Sequence, residues 1–329
     1  MREYEIGRNE AGQRMDKYLG KLLANAPKGF LYKMLRKKNI TLNGKKAAGM
    51  EMLAEGDRIK LFLSDETIEK FSKEEFQKVS CPLDILYEDS QILLINKPVG
   101  MLSQPDGSGQ ASLVEYLITY LLEEGTLTRE ELKTFRPSVC NRLDRNTSGI
   151  VAAGKTLAGL QELSRLFHDR TIHKYYLCLT AGEIKKKNFI KGYLHKDKTC
   201  NKVRVSGTKL PESVPIETEY EPLESNGKAT LLRVRLVTGR THQIRSHLAS
   251  IGHPIIGDAK YGDPGVNRYY NRKYGLCHQL LHGRELELPV LRGTLEAVSG
   301  KRFLAPLPDE FRTVLKGELS GENITDEKI

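Results

Sequence analysis

Residues 65–80 divide this chain into two unequal parts. The stretch DETIEKFSKEEFQKVS lacks glycine and proline and sets three lysines against five carboxylates. Such a charge run cannot bury much apolar surface, so it reads as a solvated linker, helical in part. At 329 residues the chain exceeds the ~100–200 residues usual for one domain. The sequence therefore separates into a small domain over 1–64, a linker over 65–80, a larger domain over 81–315 and a polar tail over 316–329.

The two parts carry charge differently. Residues 1–64 hold 14 Lys and Arg against 7 Asp and Glu, so most of the chain's net +10 lies in its first fifth, and an anionic partner should meet that part first. Met15, Tyr18, Leu19, Leu22 and Leu23 recur at the spacing of a helix face. After the break at Ala26-Pro27-Lys28-Gly29, Phe30, Leu31, Met34 and Leu35 form a second stripe, with Lys33, Arg36, Lys37 and Lys38 crowding the opposite side. Asn43-Gly44 predicts a tight hairpin turn, and Gly56-Asp57 a turn into the strand Arg58–Leu63. Two short helices and a few strands make a small α+β unit. The plainer reading of its lysines is a solvated helix face.

Several function classes fall away. No stretch approaches the ~18 uninterrupted apolar residues of a membrane helix, and MREYEIGRNE has no apolar signal core, so neither a membrane-spanning nor an exported chain is expected. Cys81, Cys140, Cys178, Cys200 and Cys277 are far apart and form no CxxC pair, which predicts free thiols in a reducing cytosol. Phosphate-binding GxxxxGK[ST], GxGxxG and GxSxG are all missing. His242 and His247 are five apart, a poor zinc spacing with no cysteine nearby, so no metal site is expected.

The larger domain alternates short strands and helices. Strands are expected over Asp84–Tyr87, Ile92–Asn96, Gly149–Gly154, Tyr175–Thr180 and Thr230–Val237, with helices over Ser112–Leu122, through Ser164–His168, and from Thr241 to Ile251. In the last, Ile244, Leu248 and Ile251 are expected to face inward. Among these elements lies Asn141-Arg142-Leu143-Asp144-Arg145-Asn146-Thr147-Ser148-Gly149, where one carboxylate sits between two arginines in a turn that feeds a buried strand. Neighbouring cations favour the ionised carboxylate. On local sequence alone, the plainer reading of Asp144 is a structural cap or surface ion pair.

This segment is similar to the catalytic motif of the RluA-type pseudouridine synthases. Further matches follow that family's order: Tyr87-Glu88-Asp89 through Asn96-Lys97-Pro98-Val99-Gly100, then Lys174-Tyr175-Tyr176-Leu177, then Thr238-Gly239-Arg240-Thr241-His242-Gln243-Ile244-Arg245, with Gly252-His253-Pro254 to Asp258 behind it. The first sixty residues resemble the S-four-like RNA-binding domain through Arg14–Leu19, Leu35–Lys38, Asn43-Gly44-Lys45 and Gly56–Ile59. Together these imply an α+β protein: a small RNA-binding domain, then a synthase domain on a mixed, largely antiparallel sheet. They also imply an enzyme that turns uridine into pseudouridine in RNA, most often large-subunit ribosomal RNA, with transfer RNA as the second choice.

The resemblance assigns the catalytic role to Asp144, stacking on the flipped uracil and help in moving the proton at carbon five to Tyr176 rather than Tyr175, and the basic partner of the aspartate to Arg245, with Arg240 as its rival. Arg142 matches the arginine that evicts the target nucleotide, and Lys33, Arg36, Lys37 and Lys38 would lie along an RNA backbone. Where many relatives carry histidine before Arg-Leu-Asp, this chain has Asn141; His242 reads as a structural hydrogen-bonder rather than a base. The isomerisation needs no cofactor, and the enzyme is expected to be cytoplasmic and monomeric. The aspartate could attack the anomeric carbon or take a proton from the neighbouring sugar carbon. Two other readings compete: an RNA-binding assembly factor with a dead site, and a base hydrolase that releases uracil.

Overall fold

The computed structural model describes residues 1–72, 78–79, 82–197 and 202–319. Most of the linker's centre, Cys81, Cys200 and the tail beyond 319 lie outside the described residues. In the first unit, β1 (Arg2–Glu5), α1 (Met15–Leu22), α2 (Lys28–Arg36), β2 (Ile40–Leu42), β3 (Lys45–Lys46), β4 (Arg58–Leu61) and α3 (Asp65–Phe71) follow one another. The strands form an antiparallel sheet in the order β1-β4-β2-β3. The β2–β3 turn needs two left-handed residues, supplied by Asn43 at φ 51° and Gly44 at φ 74°. Met15, Tyr18, Leu19 and Leu22 of α1 meet Leu31, Met34 and Leu35 of α2 in one core, which leaves the cationic side of α2 facing out.

This unit does not end at residue 64. Ser64 caps α3 by accepting from the Thr67 amide, Ile68 enters the same core, and the Phe71 ring lies 4.7 Å from Phe30. One buried isoleucine per short helix is too weak a period to stand out of a charge run, so the expected boundary falls one helix early.

The larger unit contains β5 (Ile85–Glu88), β6 (Ile92–Lys97), α4 (Leu113–Glu123), α5 (Arg129–Leu132), β7 (Ser138–Val139), β8 (Ser148–Gly154), α6 (Leu157–His168), β9 (His173–Ala181), β10 (Asn188–Asp197), β11 (Lys202–Ser206), β12 (Val214–Ser225), β13 (Ala229–Leu236), α7 (Gln243–Ser250), α8 (Pro264–Tyr274), β14 (Leu281–Glu287), β15 (Arg302–Leu304) and α9 (Asp309–Glu318). Its sheet runs β11-β10-β12-β13-β9-β14-β8-β6-β5, with β15 on β14 and β7 on β8. Among the described strands every pairing is antiparallel except β14 with β8. Both faces are covered. Leucines of α4 and Ile244 and Leu248 of α7 pack one face; Leu163 and Leu166 of α6, and Phe311, Val314 and Leu315 of α9, pack the other.

The parallel joint brings the strand after Asp144 close to β14. Gly149 pairs with Gly283 at φ 115°, and a Cβ on Gly149 would lie 2.2 Å from the Gly283 carbonyl, so only glycine fits. Gly283 in turn pairs with Tyr176 of β9. Across three neighbouring strands the sheet thus sets the start of β8 beside Tyr176.

Two further boundaries differ from the sequence expectation. Helix α7 starts at Gln243, because His242 stands at its N-cap with φ 54°, and Ile251 lies past its end and is exposed. Helix α9 runs beyond 315 to Glu318, whose carboxylate accepts from Lys273 and Tyr274 at 2.8 Å each, and Leu319 is buried. Cys140, Cys178 and Cys277 are free thiols. No described helix is long and apolar enough to cross a membrane.

Candidate active site

The segment 141–147 has little regular structure, so its shape must come from side chains that reach into it. Asn141 spends both ends of its amide on β8: its nitrogen donates to the Ile150 carbonyl at 3.0 Å and its oxygen accepts from the Ala152 amide at 2.8 Å. It is a clamp on the strand, which is work an amide does well. Ser103 brackets Leu143, donating to its carbonyl at 2.8 Å and accepting from its amide at 3.1 Å. The Thr147 amide closes a turn on the Asp144 carbonyl at 3.0 Å, and Gln279 holds the Thr147 hydroxyl.

Beneath this loop lies Lys97, fully buried at the end of β6. Its Nζ donates to the carbonyls of Pro98, Met101 and Arg145 at 2.8, 2.9 and 3.2 Å. Three carbonyls match the three N–H donors of an ammonium. Burial pushes the Lys97 pKa down to about 7, against the pull of the Asp144 charge. Lys97 thus ties the residue after Asp144 to the sheet.

Arg245, in the first turn of α7, is buried and donates from all three of its nitrogens. Nε and one terminal nitrogen bind Asp258 at 2.7 and 2.9 Å, and the other terminal nitrogen reaches Asp144 at 2.8 Å. The two-point grip on buried Asp258 fixes the plane of the guanidinium. The remaining nitrogen can then point only at Asp144. Burial opposes the Arg245 charge, but the bonds and charges of Asp258 and Asp144 raise its pKa above the ordinary value. Burial likewise opposes the Asp258 charge, and Arg245 overcomes it, holding that carboxyl below its usual range.

Asp144 itself is partly exposed, with 26% of its side chain accessible against 8% for Arg245. A carboxylate so placed is oriented from beneath and open from above. His242 Nε2 lies 3.9 Å from the same carboxylate oxygen. Tyr176 is buried near it; burial first, then the Asp144 charge, raises its phenol well above the ordinary value, so it keeps its proton.

The structure therefore gathers Asp144, Tyr176 and Arg245 in one place. Arg245, not Arg240, holds the bond to Asp144; the Arg240 side chain is exposed, and its backbone amide donates to the Gln243 side chain. Arg142 is exposed on the Asp144 loop, and Arg145 turns aside to Gln110. Lys33, Arg36, Lys37 and Lys38 stand apart on the first unit, all exposed. Asp258, Lys97 and Ser103 complete the site's frame, and the sequence assigns none of them to it; Asp258 and Lys97 lie inside matched motifs, their only signal. Among the described residues, no group of three or more His, Cys, Asp or Glu is placed to hold a metal ion.

Comparison with known proteins gives this geometry its context. Residues 91–250 match the RNA pseudouridylate synthase family. The chain is 33% identical over 294 residues to ribosomal large subunit pseudouridine synthase C of Vibrio vulnificus, covering 86% of each. It is 33% identical over 326 residues to the protein of the same name from Escherichia coli O157:H7, covering 94% of each. Among solved structures, human RNA Pseudouridylate Synthase Domain Containing 4 superposes with a TM-score of 0.56 at 23% identity, over 70% of this chain and 91% of that one. That likeness is one of fold.

Proposed function

The chain belongs to the RluA-type RNA pseudouridine synthases, and from that membership we propose that it isomerises particular uridines of large-subunit ribosomal RNA, with Asp144 as the catalytic group. The relatives named above carry that substrate in their names. One observation carries the site assignment: a solvent-facing carboxylate held at 2.8 Å by an arginine whose other donors are fixed on buried Asp258.

The reaction breaks the bond from uracil nitrogen one to the anomeric carbon and forms one from uracil carbon five to the same carbon. The proton at carbon five leaves and nitrogen one regains one, so mass is unchanged. The nucleotide must first leave its stack, which costs a few kcal/mol. Arg142, exposed two residues before Asp144, is suited to fill the gap. Arg245 orients the Asp144 carboxylate, which would either attack the anomeric carbon or take the neighbouring sugar proton. A phenol that keeps its proton is a poor base, so Tyr176 serves by stacking on the flipped ring. The cations of α2 add affinity through phosphates without reading sequence. The enzyme works as a monomer in the cytoplasm and needs no cofactor.

Mapping pseudouridine across ribosomal and transfer RNA from cells with and without this chain tests the reading. The expected result is one or a few large-subunit sites that vanish with the chain. Sites that vanish only from transfer RNA would move the substrate, and release of free uracil would replace isomerisation by hydrolysis.

A further inference from the structure

Tyr261 belongs to none of the roles above, yet it touches both groups that touch Asp144. Its ring lies under Arg245, 5.3 Å from the guanidinium carbon to the ring centre, and edge-on to His242 with centres 5.7 Å apart. Its hydroxyl lies 2.9 Å from His242 Nδ1 and accepts the Val203 backbone N–H at 3.0 Å. Its own amide donates to Asp258 at 3.1 Å, the carboxylate that grips Arg245. Val203 lies on β11, the edge strand of the large sheet, so Tyr261 is anchored from outside the site as well as within it.

A phenol has one hydrogen to give and two lone pairs. The Val203 amide can only donate, which uses one lone pair. If His242 Nδ1 also donated, the phenol hydrogen would need a third partner, and among the described residues there is none. The arrangement that satisfies every hydrogen from within the protein has the Tyr261 O–H donating to Nδ1. A neutral imidazole then carries its proton on Nε2, the nitrogen 3.9 Å from Asp144. Burial favours that neutral form, lowering the His242 pKa against the pull of Asp144, and burial raises the Tyr261 phenol so that it keeps the hydrogen it donates. The backbone supports the same end: His242 holds a left-handed φ of 54°, a conformation that costs a non-glycine residue energy and sets the ring between Tyr261 and Asp144.

We propose that Tyr261 is a positioning residue for the isomerisation: it fixes His242 in the tautomer whose Nε2–H faces Asp144. This rests on the reading of Asp144 as the catalytic group. The opposite tautomer would turn a lone pair toward a carboxylate, and would repel it. With the proton on Nε2, His242 offers Asp144 a second donor beside Arg245, at a distance that a small shift on RNA binding closes. The donor steadies the carboxylate in the orientation that meets the sugar.

The test uses the full chain labelled with nitrogen-15 histidine. Nitrogen shifts distinguish the two tautomers, and the wild type is expected to show His242 protonated on Nε2. Tyr261→Phe keeps the ring and removes the hydroxyl; it should move His242 to the other tautomer or a mixture. It should also lower kcat on RNA about tenfold with KM little changed, as expected for a misaimed group. His242→Gln supplies an amide donor at the Nε2 position that needs no phenol to set it, so adding Tyr261→Phe to that variant should cost less than about twofold. An Nδ1–H wild type overturns the proposal without any variant, as do an unmoved tautomer in Tyr261→Phe or equal reductions in both backgrounds. A wild type with the expected tautomer that makes no pseudouridine would instead overturn the reading of the reaction.

Discussion

On and just beyond α2, Lys33, Arg36, Lys37 and Lys38 are exposed and have no ion-pair partner among the described residues. Arg245 is buried and binds two carboxylates with three nitrogens. The first set keeps its charge uncommitted, available to any phosphate and weakened by salt. The second has committed its charge entirely, and what it gains is direction: it sets where one oxygen of Asp144 lies. Cationic side chains are thus left uncommitted in one unit and spent on geometry in the other. The two should fail in different ways when removed.

The largest loss should come from Arg245→Met. It leaves Asp258 buried without its partner, a change that typically costs about 3–5 kcal/mol, and turnover should disappear with it. Urea unfolding at neutral pH measures the loss; a change under about 1 kcal/mol would place Arg245 with the surface cations.

A second buried group sharpens the contrast through pH. His247 of α7 shares a hydrogen bond with Thr218 at 2.9 Å, and burial pushes its pKa down to about 4 against the opposing Lys191 backbone bond. Below pH ~6.5 the unfolded chain takes up a proton that the folded chain refuses until about pH 4, so stability is full above that window and falls through it. The loss by pH 4 is at most about 3 kcal/mol. His247→Gln should flatten it, as unfolding at pH 7, 5 and 4 would show.

The smallest effect on the fold should follow from changing Lys33, Arg36, Lys37 and Lys38 together to glutamine. The melting temperature should hardly move. RNA affinity should fall, and the slope of log affinity against log salt should become shallower by roughly 0.7–0.9 for each phosphate the variant no longer neutralises. Turnover at saturating RNA should stay near the parent's. An unchanged slope would take the first unit out of RNA binding.

Much of this contrast is legible in sequence, because it rests on local pattern. The stripes of α1 and α2, the Asn43-Gly44 turn and the glycine-ended β8 all follow from periodicity and turn chemistry. The candidate site is legible only as residue types in order. Asp144 and Arg245 are 101 positions apart, and no period announces that a turn at 258 will aim one at the other. Lys97 reads as a charge beside a proline, whereas the sheet buries it under the loop. Strands β10 to β12 lie toward the edge of the sheet and are legible in part, since β12 sets buried Ile216, Thr218 and Tyr220 at alternate positions. Asn141 reads in sequence as a departure in the chemistry, and the structure gives it a structural task on β8.

Asp144→Asn tests the central claim most directly. The turn rests on the Asp144 backbone carbonyl and Arg245 keeps its two bonds to Asp258, so the variant should fold with a near-parental melting curve. It should bind RNA within about twofold of the parent, because asparagine matches the shape and removes only the charge. Tritium release from RNA labelled at uracil carbon five, measured beside that titration, should then be undetectable. Release within a few-fold of the parent's rate would contradict the account and move the chemistry off Asp144.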